Sequence, residues 1–511
     1  MPVNYRKHLF YLILITSILK LFISGCIELG NDEVYYYTYA IQPDWNHFDH
    51  PPMIGLLMRL TSLNLLWVND VSMRLGAIIS CAVATWFIFQ TGKLISNERV
   101  GWFAALLYNC SVYTSIIAGL FILPDSPQMP FYTASLYIMS RLAFKDDDKE
   151  IKWWLLLGLT IGLAMLCKVH GLYLWAGFGL FLLLRRIKWL FNWRMYAGII
   201  ITLVCFIPIL YWNVQNHFIT YTYHSARVTN HTLQLDSFFR ELTGEFAYQN
   251  PIVFVLIVLS IIHLIGKKKS SSLEKNLWLL CMGLPMIFLF WGISLFNDTL
   301  PHWSGPGYIP LFFIAATYLD NKTQRKYPVF IQSAAGLLAL TSVIAVAIAN
   351  YAPFNLGSQD KENYGEYCPT LDINGWNHFG TSFKALAQKD VEEKNMKPHS
   401  PIIINKWFPG GHIEFYVARQ IPTRVIAIGD LDDVHKFAWL NKERKPLQLG
   451  DDAYCIVPSN VPFNVKGNYS RYFSVIEAPV IFNQIRGGKV VRYFYVYRMK
   501  DCIALPKPIL E

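Results

Sequence analysis

The sequence predicts an α-helical polytopic membrane protein of about eleven crossings, followed by a C-terminal α/β domain on the non-cytoplasmic side. Three observations carry this expectation. Long apolar runs recur through residues 1–350, whereas 351–511 has the composition of a soluble domain. Of the 511 residues only 16% are charged and 53% are hydrophobic, with a mean hydropathy of +0.29, where soluble domains carry about 25% charged residues. Basic residues also gather in every second connection, the pattern expected of cytoplasmic loops.

The first run, Leu9 to about Cys26, follows Arg6, Lys7 and His8. It is long for a signal-peptide core and no small-x-small site closes it, so it is expected to stay as the first helix. Runs at 72–92, 101–120, 124–143, 153–168, 170–186, 196–213, 251–266, 277–297, 304–320 and 328–350 follow. With a cytoplasmic N-terminus, the inside segments hold Lys93 and Arg99; Arg141, Lys145, Lys149 and Lys152; Arg185, Arg186, Lys188 and Arg194; Lys267, Lys268, Lys269 and Lys275; and Lys322, Arg325 and Lys326. The formal net charge of +10 therefore reads as topology and contact with anionic lipid, not nucleic-acid binding.

The outer loop 27–71 contains a half-apolar stretch, His50–Trp67, that begins with Pro51 and Pro52 and predicts a short helix lying in the interface. In the tail, β-rich runs at Pro401–Asn405, Arg424–Ile428, Tyr454–Pro458 and Val490–Arg498 flank a helix at Thr381–Lys394. There are nine cysteines and no CxxC pair. Six lie in or beside apolar runs as packing residues, and two of Cys368, Cys455 and Cys502 are free to pair if the tail is in an oxidising compartment. No Walker A, GxSxG, HExxH or dinucleotide-binding glycine motif occurs, so no nucleotide cofactor is expected. No internal repeat is visible, which weighs against a transporter built from two related halves.

Several outer-face residues are candidates for chemistry. Asp32 and Glu33 stand at the outer end of the first helix, followed by Tyr35, Tyr36, Tyr37 and Tyr39. They read either as a general base beside aromatic walls for a sugar or as a solvated helix cap. Asp49-His50-Pro51-Pro52 offers a metal or phosphate contact, or a rigid turn. Asp125, in Leu123-Pro124-Asp125-Ser126-Pro127, is a carboxylate close to hydrocarbon and also a good helix cap. Lys168, with His170 nearby, breaks the positive-inside pattern; it reads as a site for a lipid phosphate, or as a snorkelling lysine. The loop 214–250 carries His217, His224, Arg227, His231, Arg240, Glu241 and Glu245, either a phosphate or metal site or a solvated loop. His302-Trp303-Ser304-Gly305-Pro306-Gly307-Tyr308 opens the tenth helix, with an interfacial aromatic belt as the plainer reading.

Taken in order, the acidic pair, Phe48-Asp49-His50-Pro51-Pro52-Met53, Leu123-Pro124-Asp125-Ser126-Pro127, Lys168-Val169-His170-Gly171 and the His302–Tyr308 motif resemble the GT-C glycosyltransferases. The closer resemblance is to the bacterial branch related to protein O-mannosyltransferases and the lipid A aminoarabinose transferase. It covers about residues 1–350 and implies a GT-C fold. It also implies an inverting transfer from a polyprenyl-phosphate sugar to a lipid, glycan or protein acceptor at the outer face of a bacterial inner membrane. Under this resemblance Asp32 is the base with Glu33 beside it, and Asp125 is the second acidic position. Lys168, His50, His170 and Arg227 face the donor phosphate, and Tyr35, Tyr36, His302 and Trp303 line the substrate cavity. Asp49 and His224 hold a divalent metal. His50 departs from the lysine of the aminoarabinose branch and puts that sugar in doubt. The alternative function is a transporter or flippase of lipid-linked sugars.

Overall fold

The computed structural model describes residues 4–145, 147–229, 232–266 and 273–510; His231, Lys267, Lys268 and Lys269 lie outside them. The chain divides into two compact units. One comprises 1–22, 44–61 and 72–342, the other 23–43, 62–71 and 343–511. Two segments of the outer loop thus cluster with the C-terminal residues.

A helix stands at every apolar run, because in hydrocarbon only a helix satisfies its own backbone. Among the described residues, five helices are long and apolar enough to cross a membrane unaided: Tyr5–Cys26, Asp70–Ile95, Trp193–Gln215, Leu273–Ser294 and Val329–Tyr351. Leu235–Tyr248 and Pro251–Ile265 qualify as a pair bent by 101°, which brings the number to six if they form one span. Ile151–Cys167 and Leu172–Arg185 are apolar but shorter. Asp125–Phe144 is diluted by polar side chains it buries, among them Ser126, Gln128, Thr133 and Ser135. The run 101–120 does not form one helix. Glu98–Cys110 is capped by Asn97, whose side chain accepts the Val100 N–H at 2.9 Å, and a π-helical turn follows at Tyr113–Ile117.

Small residues set the closest helix contact in this unit. A Cβ on Gly158 would lie 2.0 Å from the Gly198 carbonyl oxygen, so Ile151–Cys167 and Trp193–Gln215 meet backbone to backbone. Thr202 Oγ1 donates to the Gly158 carbonyl at 2.8 Å across the same crossing. A helix forms within the predicted His50–Trp67 stretch but is shorter, Met53–Thr61, with Leu56 and Leu60 exposed.

The second unit is built on a six-stranded sheet. Its strands are β1 (Ile402–Ile404), β2 (Val425–Ala427), β3 (Ala453–Pro458), β4 (Phe473–Ile476), β5 (Val480–Arg486) and β6 (Lys489–Cys502). β2, β1 and β3 run parallel in that order; β6 is antiparallel to β3 and also pairs with β4 and β5. The sequence pattern shows β1, β2, β3 and β6 but not β4 and β5. Those two present exposed Val475, Ile481 and Ile485 beside polar residues, so they lack the buried runs of the other strands. All nine cysteines are free thiols, so no two of Cys368, Cys455 and Cys502 are paired. Cys368 packs with Leu371 and Val491, apart from the core cluster that holds Cys455 and Cys502.

The helix Trp376–Glu392 starts where Glu28 accepts the N–H groups of Trp376 and Asn377 at 2.7 and 2.9 Å, a carboxylate placed on a helix N-terminus. Glu28 N–H in turn donates to the Ile373 carbonyl at 3.0 Å. The short helix Asn31–Ile41 lies against Trp407–His412, where a Cβ on Gly411 would meet the Tyr35 nitrogen at 3.1 Å.

Candidate active site

The sequence-predicted residues fall into two groups, one in each unit.

In the first unit the central pair is Asp125 and Lys168. The Lys168 ammonium donates to both Asp125 oxygens, at 3.0 and 2.9 Å, and the two residues are 6% and 1% exposed. Each is placed by its own turn. Ser126 Oγ donates to the Phe121 carbonyl at 2.7 Å and accepts the Leu123 N–H, which closes the Leu123–Pro127 turn. Gln128 donates to the carbonyls of Lys168 and Ala164, at 2.8 and 3.2 Å, which ties the two turns together. Sequence reasoning missed Tyr113, whose hydroxyl donates to Asp125 at 2.8 Å. It is hidden inside an apolar run, and only its place in the π-helical turn brings it to the site. Gly305 allows this arrangement, since a Cβ there would sit 2.6 Å from the Tyr113 ring.

Three histidines lie within the field of Lys168. His50 and His302 are each pushed below the usual histidine range, first by burial and further by the Lys168 charge, His302 to about 4. Burial thus favours the neutral imidazole at both positions, although at His50 the Asp49 carboxylate works against it. His170 packs edge-on to Phe290, and Phe290 contacts Trp303. His302 stacks on Tyr248.

Beside them, His224 Nε2 donates to the Asp49 backbone carbonyl at 2.8 Å, and the His50 and His224 rings stack at 6.1 Å. The expected metal pair is thus joined through a main-chain oxygen. No group of three or more His, Cys, Asp or Glu that could hold a metal occurs among the described residues. Arg227 is exposed and lies over the Tyr223 ring, 5.3 Å from its centroid. Tyr223 packs on Phe48, so this arginine borders the 44–50 segment.

The loop 214–250 exposes His217, Arg227 and Arg240, as a solvated loop would, but buries two of its carboxylates. Glu245 is fully buried and accepts from Trp291 and Tyr308, at 2.7 and 2.8 Å, and from Ser304. Glu241 is 1% exposed and accepts from Thr299 at 2.7 Å. Both carboxylates hold the segment that carries His302 and Trp303, a role that charge density alone does not reveal.

In the second unit, Asp32 is exposed on the first turn of Asn31–Ile41. Glu33 turns back, is 2% exposed, and accepts the Gly30 N–H at 2.9 Å as a helix cap. Tyr35 and Tyr36 are 2% and 5% exposed. Tyr35 packs against Tyr39, Trp407 and His435, so these rings belong to the interior of the unit and are not open walls of a cavity.

Similarity to known proteins agrees with this architecture. Residues 49–212 match the family described as dolichyl-phosphate-mannose-protein mannosyltransferase. A lipid A galacturonosyltransferase, RgtD, of Rhizobium johnstonii is 22% identical over 298 residues, 57% of this chain and 60% of the relative. The dolichyl-phosphate-mannose–protein mannosyltransferase 3 of Saccharomyces cerevisiae is 25% identical over 201 residues, 33% of this chain and 26% of that one. The chain therefore spans 60% and 26% of the length of these two relatives, less than two thirds of either. The crystal structure of ArnT from Cupriavidus metallidurans bound to undecaprenyl phosphate superposes with a TM-score of 0.58 at 14% identity, covering 95% of this chain and 97% of that one. The apo form of the same protein gives 0.57 at 13%. At such identity the likeness establishes the fold.

Proposed function

We propose that this integral membrane protein, which has the GT-C fold shared with ArnT, is a glycosyltransferase. It moves a sugar from a polyprenyl-phosphate carrier to a lipid, glycan or protein acceptor on the outer face of the bacterial inner membrane. The observation that carries the reading is the buried Asp125–Lys168 pair with His50, His170 and His302 in its field. A lysine so far from bulk water is costly unless something anionic meets it. Asp125 meets it in the resting protein; a lipid phosphate is the natural second partner. That ArnT has been crystallised with undecaprenyl phosphate supports a lipid-phosphate donor here. The galacturonosyltransferase and mannosyltransferase relatives support a sugar as the transferred group.

The chemistry needs no enzyme nucleophile. The acceptor hydroxyl loses its proton to a carboxylate, for which Asp32 is the residue implied by the resemblance, as its oxygen attacks the anomeric carbon. The bond from that carbon to the phosphate oxygen breaks, and its electron pair stays on the phosphate. Lys168 stabilises that charge, with hydrogen bonds from neutral histidines. Inversion at the anomeric carbon follows from a single displacement.

The test is turnover by the purified full-length protein in nanodiscs, across a panel of undecaprenyl-phosphate sugars with lipid A as acceptor. Mass spectrometry of envelope lipids and glycans from cells with and without the protein is run beside it. Loss of one donor together with a new glycosylated product supports the reading. Donor movement across the bilayer without consumption would point instead to a flippase.

A further inference from the structure

Two membrane-spanning helices of the first unit, Tyr5–Cys26 and Asp70–Ile95, have a groove of about 460 Å³ between them. Arg6, Leu9 and Ile13 line one wall; Trp86, Phe89 and Gln90 line the other. The helices are antiparallel. Lys20 donates to Cys81 Sγ at 2.8 Å toward one end, and at the other Arg6 and Lys93 share the Glu98 carboxylate. Their polar residues therefore meet at the Arg6 end, and the apolar walls run inward from it. From Arg6 to Ile13 is seven residues, about 10 Å along the helix. Leu9 and Phe89 form a buried floor, while the Trp86 ring is 43% exposed at the rim. The neighbouring His8 turns the other way and packs edge-on to Trp102.

Charge at the mouth is unbalanced. Glu98 Oε1 lies 2.6 Å from the Lys93 ammonium and 3.5 Å from Arg6, whose side chain is 73% exposed. Two cations against one carboxylate leave one positive charge unmatched, which a single phosphodiester would neutralise. A guanidinium grips two phosphate oxygens at once, and the Gln90 amide beside it is a further donor. Apolar walls leading away from such a mouth suit an acyl chain.

We propose that this groove binds one anionic glycerophospholipid, its phosphodiester on Arg6 and an acyl chain along Leu9, Ile13, Trp86 and Phe89. The site goes beyond the transfer reaction and is separate from the donor phosphate. Glu98 begins the helix Glu98–Cys110, and Asp125 follows beyond its other end, past the Tyr113 turn. That helix alone is about 20 Å long. A phosphate on Arg6 therefore does not reach Lys168. The lipid instead fills the space between the first helix and Asp70–Ile95 and holds them together.

The test is native mass spectrometry of the full-length protein, delipidated in detergent and titrated with dioleoylphosphatidylglycerol or dioleoylphosphatidylcholine. Thermal unfolding of the same samples checks the fold. Wild type should retain one phosphatidylglycerol and prefer it about fivefold over phosphatidylcholine, the worth of one cation near the membrane surface. Arg6→Gln should erase that preference. Ile13→Trp fills the groove with Arg6 in place, and should lose the retained lipid of either kind. Lys7→Gln should keep the preference, because Lys7 lies over the Tyr11 ring and does not line the groove. A Lys7→Gln loss equal to that of Arg6→Gln would mean diffuse surface charge and overturns the proposal. So does an Ile13→Trp protein that still retains the lipid. Displacement of phosphatidylglycerol by equimolar undecaprenyl phosphate would assign the groove to the carrier, and displacement by inorganic phosphate would assign it to free anions; either result also overturns it. None of these readouts depends on sugar transfer, so the proposal stands or falls apart from the proposed activity.

Discussion

Lys168 and Asp125 form a bidentate ion pair in which neither side chain is more than 7% exposed. Removing one member of such a pair strands the other charge. Lys168→Ala is therefore expected to cost about 3–5 kcal/mol of stability and to abolish donor turnover. Lys168→Met combined with Asp125→Leu should recover much of the lost stability but none of the activity. Thermal unfolding and turnover measured on the same samples check both halves.

The adjacent carboxylates Asp32 and Glu33 should behave differently when each is neutralised. Asp32→Asn is expected to reduce kcat at least 100-fold, the scale of a lost general base. Glu33→Ala removes a helix cap and should lower stability by about 1 kcal/mol with a smaller change in kcat. If the two variants show the same split between melting temperature and kcat, the assignment is wrong.

Glu245→Leu leaves Ser304, Tyr308 and the Trp291 indole without their shared acceptor. A loss of about 2–3 kcal/mol is expected, together with weakened turnover, because the His302–Trp303 segment loosens. Hydrogen–deuterium exchange over residues 297–308 should rise. Unchanged exchange there would show that the carboxylate does not organise the segment.

Gly305→Ala places a methyl group against the Tyr113 ring. Tyr113 should be displaced from Asp125, with kcat reduced at least as much as in Tyr113→Phe. A Gly305→Ala protein more active than Tyr113→Phe would show that the ring can yield without leaving the carboxylate.

His412 gives the second unit a dependence on acid. Burial holds it at about 3 in the folded protein, while an unfolded histidine titrates near 6.5. Between these values the unfolded chain binds more protons than the folded one, so stability is full above pH 6.5 and is lost as pH falls toward 3. His412→Gln should flatten the fall in melting temperature over that window.

Much of the fold is legible in the sequence because a membrane imposes it. Apart from 101–120, the apolar runs fold as helices, and the β-rich runs that became β1, β2 and β3 are buried throughout while β6 mixes buried and half-buried positions. The parts that escape reading depend on distance along the chain. β4 and β5 are recognised by their partner β6 and not by their own pattern. Asp125 and Lys168 stand out as charges near hydrocarbon, but Tyr113 looks like any aromatic in an apolar run until a π-turn aims it. Glu245 looks like one charge among many because its three donors lie 46 to 63 residues away.

Residues 23–43 cluster with the chain after 343, and Glu28 and Leu29 are hydrogen-bonded there to Asn377 and Tyr416. The tail is therefore not a detachable module. A chimera that exchanges only the segment after residue 350 between relatives would leave these partners mismatched. It would lose function through the join, whatever the specificity of the new tail. Productive recombination has to transplant 23–43 and 62–71 together with the C-terminal segment, and the same linkage should make these distant stretches of the chain co-evolve.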